Sequence, residues 1–116
     1  MIEATATSRY VRGSVKKLKR IAELIKGKDV EEALTTLLFL PKPGKEMVLK
    51  TLKSAIANAL AKGGRAKITE KDFLVREVRI DRASYLKRYK PASRGRIVMI
   101  RKPTSHITVK VREKGE

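Results

Sequence analysis

Two stretches of alternating apolar and polar residues, both within residues 73–110, constrain the fold of this chain most strongly. In the second stretch Ile107 and Val109 alternate with polar neighbours, which is the period of two expected of a half-buried β-strand. Pro91 and Gly95 lie between the stretches, and these residue types favour turns because they fix or free the backbone angle φ. The pattern predicts one long β-hairpin. Simple alternation predicts two faces for its first strand, namely Leu74, Arg76, Val78 and Ile80 on one side and Phe73, Val75, Glu77 and Arg79 on the other.

The middle of this hairpin is a predicted cationic arm. Strands of about fifteen residues at about 3.3 Å per residue give the hairpin a reach of roughly 50 Å. An isolated two-stranded ribbon is marginal in water, and the sequence has no Asp or Glu between Arg82 and Arg112. Nucleic acid would stabilise such a ribbon, since phosphates attract its cations and bases stack on its tyrosines. The candidate nucleic-acid contacts of the arm are Arg82, Tyr85, Lys87, Arg88, Tyr89, Lys90, Arg94, Arg96, Arg101 and Lys102.

Composition makes the same prediction for the whole chain. Lys and Arg number 29 against 12 acidic residues, which gives a formal net charge of +17 and an isoelectric point near 10.5. A balance this basic favours nucleic acid or another anionic surface over a small-molecule substrate. A membrane is the poorer partner because no apolar run approaches the roughly 20 residues of a spanning helix. The 116 residues are expected to form one domain.

Cysteine usage and the first residues predict the compartment. The chain has no cysteine, which excludes disulfides and thiolate metal sites and fits a reducing compartment. The strand-like pattern of residues 2–7 leaves no room for a signal or transit peptide. We therefore expect a cytoplasmic protein.

Two helical patterns follow this opening strand. Ser14 is a predicted N-cap because apolar residues follow at helical spacing up to Ile25, and Gly27 is of the type that ends helices. A second helix is predicted to begin at a capping box formed by Asp29 and Glu32. The expected apolar face of the second helix comprises Val30, Ala33, Leu34, Leu37 and Leu38.

The third helical pattern is the longest. Apolar residues recur at steps of three and four between Val48 and Leu60. The prolines and glycine of segment 41–44 separate it from the second helix, Gly63–Gly64 is expected to end it, and a polar loop is expected at 65–72. Four alanines would let neighbouring backbones approach this helix closely, namely Ala55, Ala57, Ala59 and Ala61.

These elements predict an α+β fold, in which three helices pack on a small antiparallel sheet and the long hairpin protrudes from it. A globular base would comprise about residues 1–80 and 103–116. The arm would comprise about residues 81–102.

The polar side of the first helix is a second candidate site for nucleic acid. This side carries four cations, Lys16, Lys17, Lys19 and Arg20. Arg9 and Arg12 precede the cap, and no acidic residue lies among the six. Most charge runs are only solvated faces. A helix N-terminus favours anions through its free N–H groups, however, so the pattern indicates a phosphate site.

Catalysis and metal binding find little support in the sequence. His106 is the only histidine, and residues adjacent on a strand point to opposite faces, so Ser105 and His106 cannot form a local nucleophile and base. The sequence has no set of His, Cys or carboxylate residues at a recognisable metal-ligand spacing. We predict no catalytic residue, no metal site and no cofactor.

Four segments carry a resemblance to a known family, and they are Arg9–Lys17, Leu24–Lys28, Lys53–Ala59 and Leu86–Val109. In this order and spacing they resemble the bacterial large-ribosomal-subunit protein twenty-two family over nearly the whole chain. The Ser-Ala-Ile-Ala-Asn sequence of the third segment and the Thr-Ser-His-Ile-Thr sequence of the fourth are together highly specific.

The resemblance implies a structural constituent of the large ribosomal subunit and no enzyme. It implies a base that binds large-subunit ribosomal RNA and supports assembly, and a hairpin that lines the polypeptide exit tunnel and meets the nascent chain at its tip. Neighbouring ribosomal proteins would be further partners, and no homo-oligomer is expected. The residues implied to contact ribosomal RNA are Arg9, Arg12, Ser14, Lys16, Lys17, Lys53 and Asn58 in the base, and Lys87, Arg88, Arg94, Arg96, Thr104, Ser105 and His106 in the hairpin.

The main alternative is a basic protein that coats DNA, which would share the charge and the β-arm. A DNA-bending arm usually belongs to a dimer and ends in an apolar wedge. The predicted tip has the sequence Tyr-Lys-Pro-Ala-Ser-Arg-Gly, and no spare apolar face predicts a dimer. An enzyme is a more distant alternative, which loss of activity on changing His106 alone would support.

Overall fold

A computed structural model describes residues 2–42, 44–63 and 70–114 of the protein. The helices are α1 (Val15–Ile25), α2 (Val30–Phe39) and α3 (Lys45–Gly63). The strands are β1 (Glu3–Arg12), β2 (Phe73–Arg82), β3 (Leu86–Pro91), β4 (Ile97–Lys102) and β5 (Thr104–Glu113), with short 3₁₀ turns at Glu70–Asp72 and Ser93–Gly95. The predicted α+β fold is confirmed.

Two antiparallel sheets organise these strands. The larger sheet has the order β1-β5-β2, and the smaller one pairs β3 with β4. Helix α3 packs on β1 and β5, and α1 packs on β2, so one face of the larger sheet is covered by helices. Ile107, Val109 and Val111 of the central strand are fully buried against them, as their alternation predicted.

A β-bulge changes the predicted faces of β2. The register of β2 against β5 shifts between Val75 and Glu77, and an extra residue at a bulge reverses the alternation beyond it. Phe73 and Val75 therefore share the buried face with Val78 and Ile80. The assignment of Phe73 and Val75 to the opposite face from Val78 and Ile80 was wrong.

The long protruding hairpin is confirmed, but its ladder breaks between the two sheets. Residues 83–85 and Pro103 belong to neither sheet. Proline has no N–H to donate to a ladder, and the carbonyl of Pro103 accepts a hydrogen bond from the Gly13 N–H at 3.2 Å instead. We call the pair β3 and β4 with their connection the arm, and the remainder of the described residues the base.

The opening strand is longer than predicted. It continues through Ser8 to Arg12 and contains a second bulge, where the register against β5 shifts between Ser8 and Val11. Tyr10 has a φ of +56° within this bulge. Arg9 and Arg12, expected just before the first helix, thus lie on an edge strand of the larger sheet.

Helix α1 agrees closely with its sequence pattern, whereas α2 does not. The Ser14 hydroxyl accepts a hydrogen bond from the Lys17 N–H at 3.4 Å, as an N-cap does. Asp29 occupies the N-cap of α2 without a side-chain capping bond, and its carboxylate pairs with Lys114 at 3.2 Å. The capping box was therefore wrong, and so was the burial of Leu38, which is 57% exposed.

Helix α3 buries Ala55 and Ala59 but exposes Ala57 and Ala61, so only two of the four alanines provide the close approach that was predicted. Glu70–Asp72 of the predicted polar loop forms a 3₁₀ turn. The predictions for Pro43, for Gly64 as a helix end and for 65–69 of the loop lie outside the described residues.

The arm makes the molecule elongated. The radius of gyration of the protein is 17.4 Å, whereas a compact domain of this length has a radius of about 13 Å. The longest dimension is 66 Å. Core packing is confined to the base, since every residue of β3 and β4 is at least partly exposed.

Candidate nucleic-acid interface

The arm presents two different faces. Directly opposed residues of an antiparallel pair share a face, and the register opposes Pro91 to Ile97 and Tyr89 to Met99. These two rungs form an apolar surface next to the tip, followed on the same face by the cationic rung of Lys87 and Arg101. All six of these side chains are exposed.

The opposite face of the arm mixes charge with apolar surface in each rung. Lys90 is opposed to Val98, Arg88 to Ile100, and Leu86 to Lys102. Each cation is thus flanked by apolar surface, and no acidic residue lies in the arm. A face of this kind can bind phosphates through its cations and bases or sugars through its apolar groups.

The tip of the arm is held in a tight backbone conformation. The Ala92 N–H donates to the Arg96 carbonyl at 2.6 Å, and both Arg94 and Gly95 have positive φ, at +63° and +72°. A non-glycine residue rarely adopts this conformation. Arg94 and Arg96 are both exposed at this turn.

Thr104 and Ser105 lie at the junction between the arm and the base, and both are buried, at 1% and 0% exposure. The Thr104 hydroxyl donates to the Ser84 carbonyl, and the Ser105 hydroxyl donates to the Gly13 carbonyl at 2.9 Å. Side chains that are buried and bonded within the protein have no surface left for RNA. We therefore correct their predicted role from RNA contacts to residues that connect the arm root to β1 and β2.

His106 lies on the outer face of the larger sheet, opposite to that of Ser105. Its Nδ1 accepts a hydrogen bond from the Tyr10 N–H at 3.1 Å, and its ring meets the Tyr10 ring edge to face with centroids 4.9 Å apart. The imidazole thereby stabilises the β1 bulge. Its partly exposed edge and the exposed Tyr10 ring remain accessible to a partner.

A continuous run of cationic depressions crosses the base. The first is lined by Lys50 and Lys53 on α3, and it shares Lys50 with a second that also contains Arg9 and Arg12. The second shares Arg12 with a third, of about 450 Å³, at the start of α1. The third contains Arg12, Lys17, Arg20 and Lys42.

This run ends at the root of the arm. Ser14 lines both the third depression and a fourth, of about 170 Å³, which brings Lys16 together with Arg82 and Tyr85. Among the residues that line these four depressions, Glu46 alone is acidic. We call this surface the cationic belt, and its basic residues are Arg9, Arg12, Lys16, Lys17, Arg20, Lys42, Lys50, Lys53 and Arg82.

The cations of the belt and the arm are not neutralised within the described part of the chain. The ion pairs found there join Arg76 and Lys110 to Glu3, Arg79 to Asp81, and Lys114 to Asp29. None of these involves a belt or arm residue. The acidic residues near the larger sheet thus pair with its own cations and leave the belt free for an external anion.

Most of the sequence-predicted residues of the base meet in the belt, but one of them lies apart. Asn58 is exposed on α3 and donates to the Thr5 carbonyl at 3.1 Å, which ties the helix to β1. Sequence reasoning did not select Lys42. Arg20, which the sequence pattern had assigned to the phosphate site of the first helix, lies in the belt. Lys19 instead lines a separate depression with Glu23, and Lys42 joins the belt only through the tertiary fold.

The described residues offer neither a metal site nor a membrane-spanning helix. They contain no group of three or more His, Cys, Asp or Glu side chains placed to hold a metal ion. None of the helices there is long and apolar enough to span a membrane.

Comparison with known proteins shows the family of the chain. The family described as ribosomal protein L22p/L17e matches residues 6–112. The protein named large ribosomal subunit protein uL22 from Desulfitobacterium hafniense (strain Y51) is 45% identical over 116 residues, covering 100% of this chain and 99% of that protein. The protein of that name from Maridesulfovibrio salexigens is 46% identical over 112 residues, covering 97% and 99%.

A third relative of that name, from Bifidobacterium animalis subsp. lactis, is 43% identical over 115 residues, with 97% of each chain covered. Identity at this level over the full length decides against the DNA-coating and enzymatic alternatives. The chain belongs to the L22p/L17e family of ribosomal proteins, as a structural and non-enzymatic constituent of the large subunit.

Proposed function

We propose that the protein binds large-subunit ribosomal RNA through the cationic belt and the arm, and that it thereby supports assembly of the subunit. The observation that carries this proposal is the continuity of the belt, from Lys53 on α3 to Arg82 at the arm root. Its cations lack acidic partners in the described structure, so their charge is available to phosphates.

The arm needs an RNA partner for its own stability. A two-stranded ribbon is marginal in water, and this one carries cations on both faces with no acid to offset them. Contacts with phosphates remove that repulsion, and the exposed Tyr85 provides a ring on which a base stacks. The arm therefore becomes ordered against RNA, while the base folds on its own core.

The arm in this proposal lines the polypeptide exit tunnel, as the family resemblance implies. Its mixed face, with Arg88, Lys90 and Lys102, is suited to the RNA wall. The apolar rungs of Tyr89 with Met99 and Pro91 with Ile97 then line the lumen near the nascent chain. The proposal divides the molecule into a base that anchors and an arm that shapes the tunnel.

The anchoring role is tested by charge reversal on one helix. Lys16→Glu with Lys17→Glu alters the belt, and the matched control, Lys19→Glu with Lys26→Glu, makes the same change of charge on α1 beside Glu23 and Asp81. Glutamates in the first turn suit the helix dipole, so the belt variant stays folded. We expect less of it than of the control in purified large subunits, measured by quantitative mass spectrometry. Equal incorporation of the two variants would contradict the proposal.

A further inference from the structure

The outward face of α2 differs in charge from the remainder of the molecule. Segment 29–41 contains three acidic residues and no Lys or Arg, in a chain of net charge +17. Helical spacing places Glu31, Thr35 and Leu38 in one row and Glu32, Thr36 and Phe39 in the next. Both rows face outward, since the buried residues of α2 are Val30, Ala33 and Leu37.

The C-terminal end of this face is apolar. Phe39 is 82% exposed and Leu38 is 57% exposed. Single exposed apolar side chains are ordinary, but here two large ones are adjacent at the end of one helix. The threonine hydroxyls add little polarity, because Thr35 donates to the Glu31 carbonyl at 3.0 Å and Thr36 to the Glu32 carbonyl at 2.9 Å.

Two cations close to this helix are engaged by other groups. Lys45 donates to the Leu38 carbonyl at 3.0 Å and caps the end of the helix. Lys114 pairs with Asp29. Within the described residues no cation pairs with Glu31 or Glu32, so the face presents two free carboxylates beside two apolar side chains.

We propose that this face docks a neighbouring protein of the large subunit through a basic segment that has an apolar recess for Phe39. Phosphates would be repelled by Glu31 and Glu32, which makes RNA the wrong occupant. Lys or Arg side chains are attracted by the same carboxylates, and an aromatic anchor buried in a recess is a common centre of a protein interface. A second copy in a symmetric dimer would place the carboxylates of both copies close together. This inference rests on the proposed function, but its partner is a protein, whereas the proposed partner of the belt is RNA.

Site-specific photocrosslinking tests the inference in assembled subunits. The full chain is produced in cells with p-benzoylphenylalanine at position 39, or at position 53 in the belt as the matched control. Large subunits are purified, irradiated and analysed by mass spectrometry. We expect position 39 to crosslink to a ribosomal protein within a Lys- or Arg-rich segment, and position 53 to crosslink to RNA. Crosslinks from position 39 to RNA or to a second copy, or no crosslink, would overturn the inference.

A charge series separates docking from simple proximity. Glu31→Gln with Glu32→Gln should lower the yield of the position 39 crosslink by about fivefold or more, because the basic segment loses its electrostatic partner. Glu23→Gln with Glu77→Gln removes two carboxylates outside α2 and should leave the yield unchanged. Equal yields from both pairs would contradict the charge argument. Absence of the protein from large subunits would instead overturn the proposed function and this inference with it.

Discussion

At the scale of single residues, the junction between the arm and the base depends on the hydroxyls of Thr104 and Ser105, which were predicted to contact RNA. Ser105 bonds the Gly13 carbonyl, and Thr104 bonds the Ser84 carbonyl. Gly13 also donates to the Pro103 carbonyl. Three separate segments of chain thus meet at one point, and their buried polar atoms find partners in one another, as buried polar groups must.

The Ser105 hydrogen bond is expected to contribute measurably to stability. Ser105→Ala removes a buried donor and leaves the Gly13 carbonyl with one partner fewer, so the free energy of unfolding should fall by about 1–2 kcal/mol. Urea unfolding of the purified protein measures this difference. Ser93→Ala at the exposed tip is the matched control and should change stability by less than about 0.5 kcal/mol. An equal effect of both substitutions would show that the junction bond contributes nothing.

At the scale of elements, the arm and the base are stabilised by different interactions. The base has a continuous core in which Phe73, Leu52 and Ile107 are fully buried. In the arm even the apolar run of β4, residues 97–100, remains exposed. Removal of the tip therefore removes only exposed side chains and leaves the core packing of the base intact.

Deletion of Lys90–Gly95 should change the effects of the exit tunnel on the nascent chain without changing incorporation of the protein into large subunits. Distant elements with no shared partners contribute almost additively, and the belt does not contact the tip. Large subunits should therefore keep the shortened protein, whereas nascent-chain stalling or the action of tunnel-binding antibiotics should change. Mass spectrometry of purified subunits and a stalling assay measure the two effects. If the deletion lowers incorporation as much as Lys16→Glu with Lys17→Glu, the arm is part of the anchor.

At the scale of the whole molecule, the surfaces of the protein differ in their charge. The belt and the arm carry unpaired cations, the outer face of the larger sheet pairs its charges internally, and the outward face of α2 carries only acids. Under the proposed function and the proposed docking face, this distribution orients the protein, since surfaces of opposite charge attract different kinds of neighbour.

Binding to ribosomal RNA should depend steeply on salt. Neutralisation of about six to ten phosphates releases their counterions and gives a slope of roughly −5 to −9 for log affinity against log salt. Lys16→Glu with Lys17→Glu should make the slope shallower by about 2, one for each lost phosphate contact. Filter binding at several salt concentrations measures both slopes. A nearly flat dependence would mean that the belt is not the binding surface.

Local patterns were sufficient to predict much of this protein. The cap at Ser14, the buried side of α1 and the alternation of β5 follow from residues within one or two turns of each other, and the structure confirms all three. The basic character of the arm follows from composition alone. These features needed no knowledge of distant neighbours, because helix caps and side-chain periods are properties of adjacent residues.

Tertiary structure decided the features that join distant segments. The bulge in β2 reversed the faces of Phe73 and Val75 because register is set by the partner strand. Asp29 forms an ion pair with Lys114 and no side-chain capping bond. Lys42 joined the belt only when the fold brought it beside Arg12. Sequence determined which side chains are cationic or apolar, and packing decided which of them are free, because burial and pairing depend on contacts between residues far apart in the chain.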